Sequence, residues 1–185
     1  HHKSFYGWYY PNEIGINGHY TDFFINYVNT SSAEAARLTP KAKSLIGPYG
    51  TRHVKADDEF VRQLEQLDVD FIAYQDEIGV QKTRVEESAA FYEQLYKLHK
   101  KAAKAKLWAD VEVFQFEGKV YNSALLPAPP ERVVAQLEAV SPYVEKILIY
   151  QYGGLINKPG SPAFAGPEES VKLYNELVKY GYLKN

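Results

Sequence analysis

Cysteine and methionine are both missing from this 185-residue sequence. The absence of cysteine excludes disulfide bonds and metal sites built from thiolates. The absence of methionine leads us to expect that the chain does not begin at a translation start and belongs to a longer polypeptide. No stretch is apolar for long enough to cross a bilayer, and none has the pattern of a signal peptide.

An excess of charge of one sign is also lacking. Lys and Arg total 21 against 23 Asp and Glu, for a formal net charge of -2, which gives no electrostatic basis for binding nucleic acid. No predicted strand is followed by a glycine-rich phosphate loop, which disfavours a nucleotide-binding protein. His19, His53 and His99 lack the spacing of metal ligands, and His99, on a lysine-rich helical segment, is expected at the surface. We therefore expect no cofactor and no metal.

Short apolar segments alternate with amphipathic helical patterns along the chain. Strict alternation of strands and helices predicts a parallel sheet with helices outside it. Asp57 and Thr83 are the expected N-caps of the second and third helices. The expected strands are 5–10, 43–47, 69–74, 106–114 and 146–150. The expected helices are 20–38, 58–67, 83–104, 131–144, which Pro142 could end early, and 167–180, and 115–130 is an expected loop.

Polar residues follow each predicted strand at its C-terminal end. In a parallel α/β sheet these ends share one edge, where ligands bind. Asp110 and Glu112 are informative because they are two residues apart, and residues with this spacing point to the same side of a strand. A carboxylate pair on an apolar strand costs free energy unless catalysis, a ligand or an ion pair offsets the cost. The residues at this edge are Asn12, Glu13, Pro48, Tyr49, Gln75, Asp76, Glu77, Asp110, Glu112, Gln151 and Tyr152.

Two α/β architectures fit five strand–helix units. The first is the C-terminal five units of a (β/α)8 TIM barrel, because a complete barrel needs roughly 250 residues. Residues 1–185 would then be a single domain that lacks the first three units. The outer edges of the first and fifth strands would pair with the missing N-terminal half of the barrel or with another chain, since sheet edges are rarely left uncovered. The alternative is an open five-stranded doubly wound sheet.

Asn12 and Glu13 would follow the fourth strand of a barrel whose eighth unit is the last unit of this chain, and Glu112 would follow the seventh. This arrangement resembles the large clan of retaining glycoside hydrolases that carry an Asn-Glu acid/base on strand four and a Glu nucleophile on strand seven. The resemblance implies that Glu13 is the acid/base and Glu112 the second carboxylate.

Three segments carry a closer resemblance: SFYGWYYPNE at 4–13, YQDEIGV at 74–80 and LWADVEVF at 107–114. They resemble the second half of the domain of an uncharacterised family of TIM-barrel proteins described as candidate glycoside hydrolases of unknown substrate. The resemblance implies a sugar-related function and a secreted or periplasmic location, and it brings no established catalytic assignment.

Hydrolysis of a glycosidic bond needs one protonated and one ionised carboxyl. Glu13 and Glu112 are the predicted pair, about 5–5.5 Å apart in a retaining enzyme and roughly 6.5–9.5 Å apart in an inverting one. The alternative is a non-catalytic carbohydrate-binding TIM-barrel protein, so in both cases the expected partner is a carbohydrate. The residues expected to bind the sugar are Trp8, Asn12, Tyr49, Gln75, Asp76, Asp110, Gln151 and Tyr152, although Trp8 could instead pack in the core and Asp76 or Asp110 could cap a helix or form an ion pair.

Overall fold

Five parallel strands form a curled sheet, and the strand order across the sheet follows the chain. The computed structural model describes residues 3–184. The strands are β1 (Gly7–Tyr9), β2 (Lys43–Ile46), β3 (Phe71–Gln75), β4 (Lys106–Glu112), β5 (Phe114–Phe116), β6 (Leu125–Pro127) and β7 (Lys146–Tyr150), and the helices are α1 (Asp22–Leu38), α2 (Asp58–Gln66), α3 (Val85–Ala102), α4 (Pro130–Val140) and α5 (Glu169–Lys179).

The sheet has the order β1-β2-β3-β4-β7, with every neighbouring pair parallel. A doubly wound sheet reverses its strand order and carries helices on both faces, whereas this order runs in one direction. The structure therefore confirms the predicted fold class, an α/β half-barrel of five strand–helix units like those of a TIM barrel. Among the helices of residues 3–184, none has the length and apolar character that a bilayer crossing requires.

Alternate strand residues face opposite sides of the sheet. One side packs against the helices in the main core, which includes Ile72 and Tyr74 of β3. The concave side carries a smaller cluster around Phe71, Ala73 and Trp108, in which the rings of Phe71 and Trp108 stack with centroids 4.0 Å apart. Because side chains alternate, a residue on β4 with the parity of Trp108 also faces the concave side.

The two edges of the sheet are β1 and β7, and within residues 3–184 no strand pairs with their outer sides. That another chain or the N-terminal half of a barrel covers them stays a prediction. The single-domain boundary of 1–185 stays a prediction as well.

Segment 115–130 is not the uninterrupted loop that we expected. Phe114–Phe116 pairs antiparallel with Leu125–Pro127, so the residues after β4 form a small separate hairpin. Strands of three residues are too short to give a clear alternating pattern, which explains why the sequence did not reveal them.

Two of the helix starts show how the first amide groups are capped. The side chain of Asp57 accepts a hydrogen bond from the Phe60 amide at 3.0 Å, which confirms Asp57 as the N-cap of α2. The cap of α3 is Arg84 rather than Thr83, because the Glu87 carboxylate accepts from the Arg84 amide at 3.0 Å. The fourth helix stops at Val140 and not at residue 144, because a proline follows at 142 and supplies no amide donor.

His99 is buried, not at the surface as its lysine-rich helix suggested. Its Nδ1 lies 2.9 Å from the carbonyl oxygen of Ala105, and its Nε2 lies 3.1 Å from the Tyr74 hydroxyl. A carbonyl oxygen can only accept, so Nδ1 carries a hydrogen. Burial lowers the pKa of the ring to about 4, so near neutral pH Nε2 has no hydrogen and accepts from Tyr74. The Tyr74 hydroxyl in turn accepts from Tyr20 at 3.3 Å. His99 is therefore a neutral link in a buried hydrogen-bonded chain.

The pH dependence of stability tests this state of His99. Burial lowers the pKa of His99 from 6.5 to about 4, although the hydrogen bond to Ala105 opposes the shift. The unfolded chain therefore binds a proton first as pH falls, and the stability due to His99, present above pH 6.5, is lost towards pH 4. We expect the excess stability of the wild type over His99→Gln to shrink between pH 7 and pH 4 in urea unfolding. The control is His53→Gln at an exposed histidine, and a His99→Gln gap independent of pH would contradict the buried neutral ring.

Candidate active site

Acidic side chains from two adjacent strands meet at the C-terminal edge of the sheet. Asp110 and Glu112 have the parity of Trp108 and lie on the concave side of β4, as their spacing predicted. Asp76 directly follows β3, and its amide donates to the carbonyl oxygen of Asp110 at 3.0 Å. The strand ends thus bring three of the predicted site carboxyls together.

Asp76 is almost fully buried, with 2% of its surface exposed. Its Oδ2 accepts from the Gln136 side-chain amide at 2.7 Å. Its Oδ1 accepts from the backbone amides of Glu112 at 3.1 Å and Ile78 at 3.3 Å. Three donors replace the water that the carboxylate loses on burial, which is the usual condition for a charged group inside a protein.

Helix α4 supplies two side chains that hold the end of β4. Arg132 donates through Nη2 to the carbonyl oxygens of Glu112, at 3.1 Å, and of Phe114. Its Nε donates to Gln136 Oε1 at 3.0 Å, and Gln136 Nε2 also donates to the Glu112 carbonyl oxygen at 3.1 Å. The guanidinium and the amide therefore tie the helix to the strand end on which the acidic residues lie.

The Glu112 carboxyl faces the loop that follows β3. Its Oε2 accepts from the Val80 amide at 2.8 Å, and the residue is 6% exposed. A Cβ atom on Gly79 would come within 2.9 Å of both Glu112 Cβ and Oε2, so only glycine lets the loop approach this closely. The neighbouring Glu77 accepts from the Gly50 amide at 2.7 Å and pairs with a lysine of the same loop.

Burial raises the pKa of all three site carboxyls. The pKa of Asp76 rises to about 6, because loss of water outweighs the donated hydrogen bonds. The pKa of Asp110 rises to about 7 and that of Glu112 to about 8, in both cases through burial first and repulsion from Asp76 second. Near neutral pH, Glu112 therefore retains its proton, while Asp76 carries the charge that its donors stabilise.

Glu13 lies at the same edge in a different environment. It is exposed, its Oε1 accepts from the Tyr9 hydroxyl at 2.5 Å, and its Oε2 accepts from Gln75 Nε2 at 3.1 Å. Gln75 is in register with Asp110 across β3 and β4, so its side chain lies between Glu13 and Asp110. The charge of Glu13 also contributes to raising the pKa of Asp110.

The other predicted sugar-binding residues are distributed unevenly. Trp8 donates through Nε1 to Thr39 Oγ1 at 2.8 Å, beyond the end of α1, so the structure does not bring it to the carboxyls. Tyr49 lies under the Lys82 ammonium group, which is 5.1 Å from its ring centroid. The predicted sugar-binding residues that are exposed at the strand ends are Asn12, Tyr49, Gln151 and Tyr152.

Residues 1–163 match a family described as a domain of unknown function, DUF4434. The chain belongs to the DUF4434 family. Among curated proteins, none matches the sequence. The fold is similar to that of a solved protein from Bacteroides thetaiotaomicron VPI-5482 described as a "putative alpha-L-fucosidase", with a TM-score of 0.77 at 20% identity. The match covers 98% of this chain and 56% of that protein, so the DUF4434 chain spans just over half of its length. At this identity the likeness shows the fold alone.

Sequence reasoning missed three groups of the candidate site in this DUF4434 chain: Tyr9, Arg132 and Gln136. Gln136 is fully buried although it is polar, and its position three residues after Val133 on the buried face of α4 is the only sequence signal for it. Tyr9 and Arg132 gave no signal at all. No group of three or more His, Asp or Glu within residues 3–184 is arranged to hold a metal ion.

Replacing Gln136 by leucine tests the Asp76 network. The substitution removes the donor to Asp76 Oδ2 and the acceptor of Arg132 Nε, and leaves the first partner buried and the second half-buried. We expect the free energy of unfolding to fall by about 1–3 kcal/mol, the cost of leaving a buried polar group unpaired. Gln66→Leu, at an exposed position of α2, is the matched control in chemical denaturation, and equal effects of the two substitutions would show that the network does not stabilise the fold.

The raised pKa of Glu112 predicts a dependence of stability on pH that is opposite in sign to that of His99. Its pKa is 4.5 in an unfolded chain and about 8 in the folded protein, so the folded state holds the proton over this range and loses relative stability as pH rises. We expect Glu112→Gln to gain stability relative to the wild type between pH 5 and pH 8. Urea unfolding across this range measures the change, with Glu65→Gln at an exposed site as the control. A free energy of unfolding of Glu112→Gln that falls relative to the wild type as pH rises would contradict a raised pKa.

Proposed function

We propose that this protein hydrolyses glycosidic bonds in an oligo- or polysaccharide. An accessible carboxylate, Glu13, and a shielded pair, Asp110 and Glu112, at one end of the half-barrel carry this proposal. Both routes of glycoside hydrolysis need one ionised and one protonated carboxyl near the bond that breaks. The similarity in fold to a protein described as a "putative alpha-L-fucosidase" supports the same class of reaction.

The surroundings of Glu13 suit an ionised carboxylate. Both of its oxygens accept hydrogen bonds, from the Tyr9 hydroxyl and from the Gln75 amide, which fix the position of the carboxylate at the strand edge. Glu13 then acts as the nucleophile or as the base that activates water. This reverses the acid/base role expected for Glu13 from its Asn-Glu sequence, and the proton donor comes from the shielded carboxyls of β4.

The sugar is bound by exposed groups at the same edge. Tyr49, Tyr150 and Tyr152 are between 38% and 49% exposed, and tyrosine rings offer a flat apolar face to a sugar and a hydroxyl for its polar groups. Asn12 and Gln151 supply amide groups for hydroxyls of the substrate.

Carbohydrate binding without catalysis is the second candidate. The exposed tyrosines favour it, because they would bind a sugar whether or not the carboxyls react. The two functions differ in turnover, and only hydrolysis predicts that replacing Glu13 abolishes turnover while binding is retained.

Glu13→Gln in the full-length protein tests the hydrolase. On the glycoside or polysaccharide that the wild type cleaves, we expect kcat/KM to fall by at least about 10²-fold, as for loss of a positioned catalytic group. The dissociation constant for the oligosaccharide should change little, because the amide fits the same space. Reducing-sugar release and calorimetric titration measure the two quantities, with Glu65→Gln as the matched control.

The outcomes separate the two candidates. Loss of turnover with retained binding supports hydrolysis through Glu13. Unchanged turnover in Glu13→Gln contradicts the role of this residue. Binding by the wild type without cleavage of any glycoside in a broad panel supports the binding protein instead.

A further inference from the structure

Asp110 differs from the neighbouring acidic residues at this edge in having no hydrogen-bond or ion-pair partner among residues 3–184. Among residues 3–184 its carboxyl makes no hydrogen bond and no ion pair, whereas Asp76, Glu77 and Glu112 each accept from backbone or side-chain donors. Asp110 is also less enclosed than these three residues, with intermediate exposure. Its neighbours in register are Gln75 and Leu148, and neither offers a positive charge. A shielded carboxyl without donors or cations is more stable with its proton.

The position of Asp110 also links it to Glu13. Gln75 contacts Glu13 directly, and Gln75 and Asp110 are side by side on the concave face. Glu112 lies one layer nearer the strand end, with its carboxyl bonded to Val80 and packed against Gly79. The loop therefore occupies the space that a substrate would need to reach Glu112.

We propose that Asp110 is the proton donor that acts with Glu13, and that Glu112 is a positioning residue for the loop of residues 77–82. This inference rests on the proposed glycoside hydrolysis. It departs from the pairing of Glu13 with Glu112 that the sequence suggested.

The Asp110 proton passes to the glycosidic oxygen, which keeps the electron pair of the carbon–oxygen bond that breaks. Glu13 either attacks the anomeric carbon or removes a proton from the attacking water. If Glu13 attacks, the ionised Asp110 then removes a proton from a water whose hydroxyl group displaces Glu13 from the anomeric carbon, so both carboxyls return to their starting states. If Glu13 instead takes the proton of the attacking water, the hydroxyl group ends on the anomeric carbon, Glu13 releases its proton to solvent and Asp110 takes one up from solvent. One water is consumed in either route.

Leaving-group dependence distinguishes the proton donor from a positioning residue. A phenyl glycoside needs its leaving oxygen protonated, whereas a 2,4-dinitrophenyl glycoside of the same sugar does not. For Asp110→Asn we expect kcat/KM to fall by about 10²–10⁴-fold on the phenyl glycoside and far less on the dinitrophenyl glycoside. For Glu112→Gln we expect similar losses on both substrates. The control is Asp68→Asn, an exposed aspartate at the opposite end of the strands, for which we expect no loss.

Other outcomes overturn the assignment. Equal losses on the two glycosides in Asp110→Asn, or the leaving-group pattern in Glu112→Gln, would show that Asp110 is not the donor while leaving hydrolysis intact. A wild type inactive on both glycosides and on polysaccharides would overturn the proposed function, and this inference with it. Should Asp110→Asn not fold, as judged by thermal unfolding, Asp110→Ala is tested with the same pair of substrates.

Discussion

The edge of this half-barrel depends on how the protein accommodates one buried carboxylate, that of Asp76. Burying a charge is costly unless donors replace the lost water. The donors to Asp76 come from helix α4 through Gln136, from the loop after β3 through Ile78, and from strand β4 through Glu112. Satisfying this one group therefore fixes three elements relative to one another. The Asp76 charge then raises the pKa of both Asp110 and Glu112, so the same interaction also determines the chemistry of the neighbouring carboxyls.

The fold could be predicted wherever a pattern of neighbouring residues is compatible with only one local structure. Alternation of apolar strands with amphipathic helices implies a parallel sheet, and a spacing of two implies one side of a strand, which placed Asp110 and Glu112 correctly. Prediction failed where contacts with other parts of the chain determine whether a residue is buried. His99 occurs among lysines, yet it lies four residues after Leu95 on the face that packs against the sheet, and its burial depends on Tyr74 of β3 and on the carbonyl oxygen of Ala105.

The candidate site was less predictable than the fold because its partners are neutral and far apart in the chain. Gln75 reaches Glu13 across 62 positions, and Gln136 reaches Asp76 across 60. A glutamine that donates a hydrogen bond to a carboxylate lies in no recognisable sequence motif, and composition cannot distinguish it from a glutamine at the surface. The carboxyls themselves could be located from the predicted strand ends, but the protonation state of each depends on hydrogen-bond partners that the sequence does not reveal.

Asp110 and Glu112 show how far such partners can separate two similar groups. They are two residues apart, on the same side of one strand, and near the same negative charge. Glu112 ends the strand and therefore meets the backbone of the loop, whose Val80 amide engages its carboxyl and whose Gly79 packs against it. Asp110 is flanked in register by Gln75, whose amide donates to Glu13 and to the carbonyl oxygen of Gly47, and by Leu148, which has no polar group. Burial and the Asp76 charge raise the pKa of both carboxyls, so the charge environment does not distinguish them. What distinguishes them is that Glu112 is enclosed by the loop, whereas the Asp110 side chain has no hydrogen-bond donor among residues 3–184 and stays partly exposed on the concave side.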